Sequence, residues 1–113
     1  MKRGEIYWAE LSPTLGSEIS KLRPVLIVSN DINNEYAATI TILPITSKTE
    51  RIYLFEVLLK QGEGNLQNDS KIKANQIRTI DKMRVREYIG RLFESKMKEV
   101  ERAIIVHLSI GLL

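Results

Sequence analysis

Apolar positions along the chain come in short runs with a two-residue period until the last fifth, where the spacing lengthens to that of a helix. Glu5-Ile6-Tyr7-Trp8-Ala9-Glu10-Leu11 is rich in aromatic and β-favouring residues and stops at Ser12-Pro13, where proline interrupts a ladder. Val25-Leu26-Ile27-Val28, opened by Arg23-Pro24, is a continuous aliphatic run of the kind found in a strand covered on both faces. Thr39-Ile40-Thr41-Ile42 alternates as a half-buried strand, with Pro44 ending or bending it. Residues 52 to 59 and 72 to 80 read as two further strands, separated by the turn-forming Gly62-Glu63-Gly64-Asn65, and Tyr88 to Leu92 reads as a short one. From Ser95, a plausible cap, residues Met97, Val100, Ala103, Ile104, His107 and Leu108 recur at helical spacing. The pattern predicts a small antiparallel β-barrel-like α+β fold, five or six strands closed by a C-terminal α-helix, with residues 1–113 forming a single domain.

Between the first two strands, residues 12 to 22 carry Pro13, Gly16 and several hydroxyl side chains, at a length more often functional than merely connecting. This segment is a candidate substrate-gripping loop. The chain has no cysteine, which excludes disulfides and thiolate metal sites and suits a reducing compartment. No secretory signal and no transmembrane helix are expected, so the cytoplasm is the default location. Net charge is only +3, but Lys71 to Arg102 holds ten Lys and Arg against five Asp and Glu, while the rest holds seven against nine. Such asymmetry fits a polyanionic partner, and fits equally a solvated surface of mixed charge.

Four ordered stretches resemble the MazF/PemK family of toxin endoribonucleases: Arg3-Gly4-Glu5-Ile6-Tyr7-Trp8; Gly16-Ser17-Glu18 with Arg23-Pro24-Val25-Leu26-Ile27-Val28-Ser29-Asn30; Pro44-Ile45-Thr46-Ser47; and Asn75-Gln76-Ile77-Arg78-Thr79-Ile80-Asp81-Lys82. The resemblance covers nearly the whole chain. It implies a compact SH3-like barrel with a C-terminal helix, a homodimer, metal-independent cleavage of single-stranded RNA, and an antitoxin partner whose disordered tail occupies the RNA groove. One departure stands in the loop before Arg23, where some relatives carry a glycine pair and this chain has the bulkier Ser20-Lys21-Leu22.

RNA can be cut without a metal when its own 2′-hydroxyl attacks the adjacent phosphorus, provided the protein aids proton removal, supports the phosphorane charge and protonates the leaving 5′-oxygen. The single histidine, His107, rules out a histidine pair within one chain, and its place on the helical stripe predicts core packing. No carboxylate or histidine spacing suits a metal, so neither metal nor cofactor is expected. The resemblance names Arg23 and Thr46 as catalytic. Arg23 lies where a loop meets a core strand, and a guanidinium forks onto phosphate oxygens better than it removes protons. Without the motif, an arginine in that place would read as a surface ion pair. Thr46 offers a hydroxyl to a phosphate oxygen, with Ser47 as the alternative if the register is shifted by one. Gln76 and Asn75 offer donor and acceptor on one amide and are candidates for contacting unpaired bases. Arg78 either contacts phosphate or braces the site through a carboxylate. Ser17, Glu18, Lys21 and Lys48 are candidate rim residues of a single-strand channel. Tyr7 and Trp8 point to opposite faces, so at most one stacks on a base, and Trp8 is expected in the core. A toxin of similar fold that binds a topoisomerase without catalysis is the alternative from another functional class.

Overall fold

The longest strand of the sheet, β3 (Thr39–Thr46), holds three neighbours, and the other strands are arranged by where it lets them attach. In the computed structural model, which describes residues 1–11 and 22–111, the other strands are β1 (Glu5–Glu10), β2 (Leu22–Ile27), β4 (Glu56–Leu59), β5 (Ser70–Lys73), β6 (Arg78–Asp81) and β7 (Val85–Arg91). A short helix, α1 (Asp31–Tyr36), joins β2 to β3, and α2 (Glu94–Leu108) follows β7. Strand order is β4-β5-β3-β2-β1-β7, with β6 also paired to β3, and every pairing is antiparallel. The sheet curls around a core as the sequence suggests, but it is not closed into a barrel: among the described residues no ladder joins β4 to β7. The loop at residues 12–21, with Ser17, Glu18 and Lys21, lies outside the described residues.

Pro44 explains how β3 serves so many partners. One edge of β3 takes β2, from Val25 opposite Pro44 to Ile27 opposite Ile42. The other edge is shared by β6, which reaches Ile42, and β5, which begins at Ile45. Pro44 falls in the gap between them, where a missing amide donor costs no ladder bond. It therefore marks the change of partner without ending the strand.

Side chains of β2 and β3 alternate between two apolar layers. Leu26, Val28, Leu43 and Ile45 join Ile6, Val57, Leu59 and Ile72 beneath Met97, Val100 and Ala103 of α2. Val25, Ile27, Ile40 and Ile42 join Ala9 and Ile80 on the other side, with Tyr7 and Val85 against them. Burial on both faces is what the aliphatic run at 25–28 implied.

Several boundaries differ from the sequence reading, each for a local reason. The strand expected over residues 52–59 shortens to Glu56–Leu59, because the Glu56 carboxylate accepts from the Tyr53 amide at 2.9 Å and the Glu56 amide donates to the Tyr53 carbonyl, closing a turn. The strand expected over 72–80 is two strands, parted by a 3-10 turn at Ala74–Gln76 that carries the chain from one partner position on β3 to the other. Gln76 and Arg78 consequently do not share a strand face. The polar stretch between β2 and β3 forms α1, capped by the Asn30 side chain on the Asn33 amide. Helix α2 begins at Glu94 with Phe93 at the cap position, so Ser95 lies inside its first turn. His107 is exposed, not packed in the core as expected. The buried stripe of α2 ends at Ala103, and beyond it the His107 ring lies near the Phe55 ring, 6.2 Å between centroids.

The loop between β4 and β5 is held against β7 by close backbone contact. Gly64 has φ 61°, and a Cβ there would come within 2.5 Å of Ile6 Cδ1. A Cβ at Gly90 would overlap the Gly64 carbonyl oxygen and reach 2.8 Å from the Asn65 Cβ. Nearby, the Asn65 side-chain amide donates to the Ile89 carbonyl at 2.8 Å. Gly90→Ala is expected to force this loop away from β7 and lower stability by about 2 kcal/mol, as overpacking does; urea unfolding with an unchanged midpoint would contradict the contact.

At the other end of the loop, Glu56 is fully buried and paired with Lys71 and Lys73, each at 3.0 Å. Burial alone would push its carboxyl up, but the Tyr53 amide and the Lys73 and Lys71 ammonium groups outweigh it and hold the carboxyl below its ordinary range. A carboxylate held down in this way adds stability above its unfolded-state value, lost as pH falls through the folded one. Glu56→Gln is expected to cost about 3 kcal/mol at neutral pH, because it leaves buried ammonium charge uncompensated. The variant's stability should also fall less steeply than the parent's once pH drops below about 4.3, the ordinary glutamate range; parallel acid limbs in denaturant titrations would contradict this.

Candidate active site

The register of β2 on β3 carries the first part of the site. Val25, opposite Pro44, is the last residue of β2 paired with β3; Arg23 and Thr46 lie two residues beyond this pair on their own strands. Pairing with β3 thus stops just short of these side chains. On its other edge β2 stays paired with β1, Pro24 opposite Trp8 and Arg23 opposite Ala9.

The opening so formed is a cleft of about 470 Å³. Arg23, Pro24, Thr46 and Ser47 line one side, Trp8 and Tyr88 come from β1 and β7, and Asn65, Leu66, Gln67 and Asn68 come from the loop before β5. The volume is in the range of small-molecule sites, larger than an ion needs. Arg23 is exposed and makes no ion pair or hydrogen bond among the described residues, so its fork is free for an incoming anion. The Thr46 hydroxyl accepts from the Lys48 amide at 3.3 Å, which fixes the oxygen and leaves its proton to donate. Among the described lining residues there is neither carboxylate nor histidine. The cleft is therefore equipped to hold and stabilise negative charge through Arg23, with hydroxyl and amide donors around it.

Of the residues singled out in the sequence, the cleft brings together Arg23, Thr46 and Ser47. Lys48 is exposed just beyond it. Asn75 and Gln76 are exposed on the 3-10 turn and do not line it. Arg78 faces Ile42, about 13 Å along β3 from Thr46 at ordinary strand rise. Its guanidinium donates to the Leu11 carbonyl at 3.3 Å, so it braces the end of β1 through a backbone oxygen and not a carboxylate. Arg84 does the same at the Glu10 carbonyl, and Arg86 pairs with the Glu10 carboxylate at 2.8 Å.

Trp8 corrects another expectation. It is 38% exposed and lines the cleft instead of filling the core. Its neighbour Tyr7 is the one that packs inward, edge-on to Tyr88 with ring centroids 5.4 Å apart. Burial and the 2.9 Å hydrogen bond to Glu5 push the Tyr7 phenol up to about 12, which keeps it protonated and unsuited to act as a base near neutrality. Alternation along β1 was legible, but Trp8 shares its face with the buried Ile6, so the face alone does not tell which of its residues meets solvent. Sequence reading also missed Asn65, Gln67, Asn68 and Tyr88; the glycines at 62 and 64 marked a loop without saying where it would fold.

A sheet of this order with a C-terminal helix and an arginine near a strand-end hydroxyl at its mouth describes a small α+β protein with an anion-holding cleft. The family model for the PemK-like, MazF-like toxin of type II toxin–antitoxin systems matches residues 2–108, and the chain belongs to that family. A relative from Staphylococcus saprophyticus subsp. saprophyticus, Endoribonuclease MazF, is 41% identical over 99% of this chain and 92% of its own. Among solved structures, the Mycobacterium tuberculosis toxin MazF-mt6 superposes with TM-score 0.79 at 26% identity, covering 93% of this chain and 96% of that one. The MazE–MazF complex from Deinococcus radiodurans contains a chain of the same fold, TM-score 0.82 at 23% identity, with 97% and 96% covered.

Proposed function

We propose that this chain is the toxin of a type II toxin–antitoxin pair and acts as an endoribonuclease on single-stranded RNA in the cytoplasm. The observation that carries the reading is the free Arg23 guanidinium lining one cleft together with Thr46, in a chain of the MazF-like family. The topoisomerase-binding alternative draws no support from the relatives, of which the Staphylococcus protein is an endoribonuclease by name.

In this mechanism the RNA's 2′-oxygen forms a bond to the adjacent phosphorus as the bond to the 5′-oxygen breaks. The 2′-proton is lost, the 5′-oxygen gains one, and the products carry a 2′,3′-cyclic phosphate and a 5′-hydroxyl. Arg23 forks onto the non-bridging oxygens, whose charge grows in the transition state. Thr46 donates to one of them and holds the phosphate in line, with Ser47 beside it. Asn75, Gln76, Arg78 and Lys48, together with Ser17, Glu18 and Lys21, contact the strand outside the reacting phosphate. Arg78 would do so only by giving up its hold on Leu11.

The purified protein is expected to cut single-stranded RNA in EDTA, and a substrate with 2′-deoxyribose at the cut should resist. Arg23→Ala is expected to lower kcat by about a hundredfold or more, the scale of losing a transition-state donor. Arg23→Lys should recover little, because an ammonium lacks the fork. Thr46→Ala should cost less than Arg23→Ala. End-group analysis and single-turnover rates check these outcomes; full activity in Arg23→Ala would move the chemistry elsewhere, and a neutral Thr46→Ala beside an inactive Ser47→Ala would shift the hydroxyl role by one residue.

The same reading includes a homodimer and an antitoxin partner. Ile105, Leu108 and Ile110 are exposed at the end of α2, more apolar surface than the sheet covers. A second copy is the economical cover. An antitoxin is the expected partner, a mycobacterial endoribonuclease of the same fold having been solved with its cognate antitoxin, and its tail would exclude RNA by occupying the same groove. Sedimentation at low micromolar concentration should give a dimer, and labelled RNA should be displaced by the antitoxin; a monomer, or a ternary complex that still cleaves, would contradict the respective part.

A further inference from the structure

Part of the cleft lining has chemistry that phosphate binding does not use. Trp8, opposite Pro24, and Tyr88 are 38% and 53% exposed there, large apolar faces left in water. The Trp8 indole stacks on no other ring, and its N–H has no partner among the described residues. Beside it the loop before β5 presents the Gln67 and Asn68 amides, both exposed and neither engaged in a side-chain hydrogen bond among the described residues.

That loop is built to hold these amides still. Gly62 donates to the Leu66 carbonyl at 2.9 Å, the Lys60 and Gln61 amides donate at 2.8 Å to Glu63 and Asp69, and the Ser70 hydroxyl donates to the Asn68 carbonyl at 2.9 Å. Leu66, the residue before Gln67, is buried in the core, and Asn65 is tied to Ile89 of β7. A rigid turn anchored on both sides that leaves adjacent amides free is arranged to recognise something by hydrogen bonds, since neither amide contributes to holding the fold.

We propose that this half of the cleft is a nucleobase pocket, in which Trp8 stacks on the base next to the phosphate held by Arg23 and Thr46 while Gln67 and Asn68 read that base's edge. The pocket rests on the endoribonuclease reading and adds to it a determinant of cleavage sequence. The chemistry matches each part: an indole face accepts any base by stacking, whereas an amide offers the paired donor and acceptor that discriminate among unpaired bases. A base held by its face and its edge also sets the sugar, and so the 2′-hydroxyl, relative to the phosphate.

Trp8 is the only tryptophan in the chain, so its emission reports on this pocket alone. The parent protein is first given a randomised single-stranded RNA pool in EDTA, and the new 5′ ends are sequenced. An RNA of the preferred sequence, with 2′-deoxyribose at the cut, is then titrated while its label anisotropy and the tryptophan emission are followed together. Quenching of Trp8 in step with binding is expected. Trp8→Ala should raise KM by about tenfold or more, with Trp8→Phe retaining most of the affinity. The Gln67→Ala, Asn68→Ala double variant should lose about tenfold in base selectivity at one position next to the cut, with other positions unchanged. Saturable binding with unaltered Trp8 emission, or a double variant with the parent's sequence profile, would overturn the pocket and leave the nuclease intact. A parent that neither binds nor cuts any RNA in the pool would overturn both.

Discussion

Everything that frames the cleft depends on the division of one edge of β3 between two partners. Antiparallel ladders need an amide at alternate positions on each side, and a proline inside a shared strand would ordinarily leave one neighbour short. Here Pro44 occupies the interval between β6 and β5, so the missing donor coincides with a change of partner. Beyond it Ile45 and Thr46 pair with β5, while β2 runs on paired with β1 and no longer with β3. Arg23 and Thr46 thus emerge at a point where the sheet has opened, a hole in a ladder and not a groove laid on top of one.

The opening is tolerable because both faces of the central strands are buried elsewhere. Two aliphatic layers hold β2 and β3, and the buried Glu56 with Lys71 and Lys73 fastens the outer pair β4 and β5. Rigidity behind the mouth matters for chemistry of this kind, which relies on donors that do not reorganise as charge develops. It also lets the exposed residues at the mouth be chosen for what they contact, since few of them are needed to hold the fold.

What the sequence made legible, and what it did not, follows the range of the interactions involved. The two-residue period of 39–42 and the aliphatic run of 25–28 reflect burial on known faces, and both strands are there. Arg23 and Thr46 were readable only through family motifs, since their meeting depends on strand register across a loop. Residues 72–80 misled because a break imposed by pairing with β3 leaves no mark in local propensity. His107 misled in the opposite way: its helical phase was right, but the core ended a turn before it. Trp8 shows the limit most clearly, because alternation assigns it the face of the buried Ile6, and only the position of the cleft two residues on decides that it meets solvent.

The arginines at the end of β1 alter the meaning of the chain's uneven charge. Of the ten basic residues between Lys71 and Arg102, Lys71, Lys73, Arg78, Arg84, Arg86 and Lys96 already bond carboxylates or main-chain oxygens of the protein itself. A polyanion would have to compete for these six, and four cations of the segment, Lys82, Arg91, Lys98 and Arg102, carry no such bond among the described residues. Affinity for a strand should then decline with ionic strength less steeply than the ten positive charges of the segment suggest. For an enzyme acting on a strand, a weaker hold on the backbone has a kinetic benefit: brief residence wherever the local sequence is wrong.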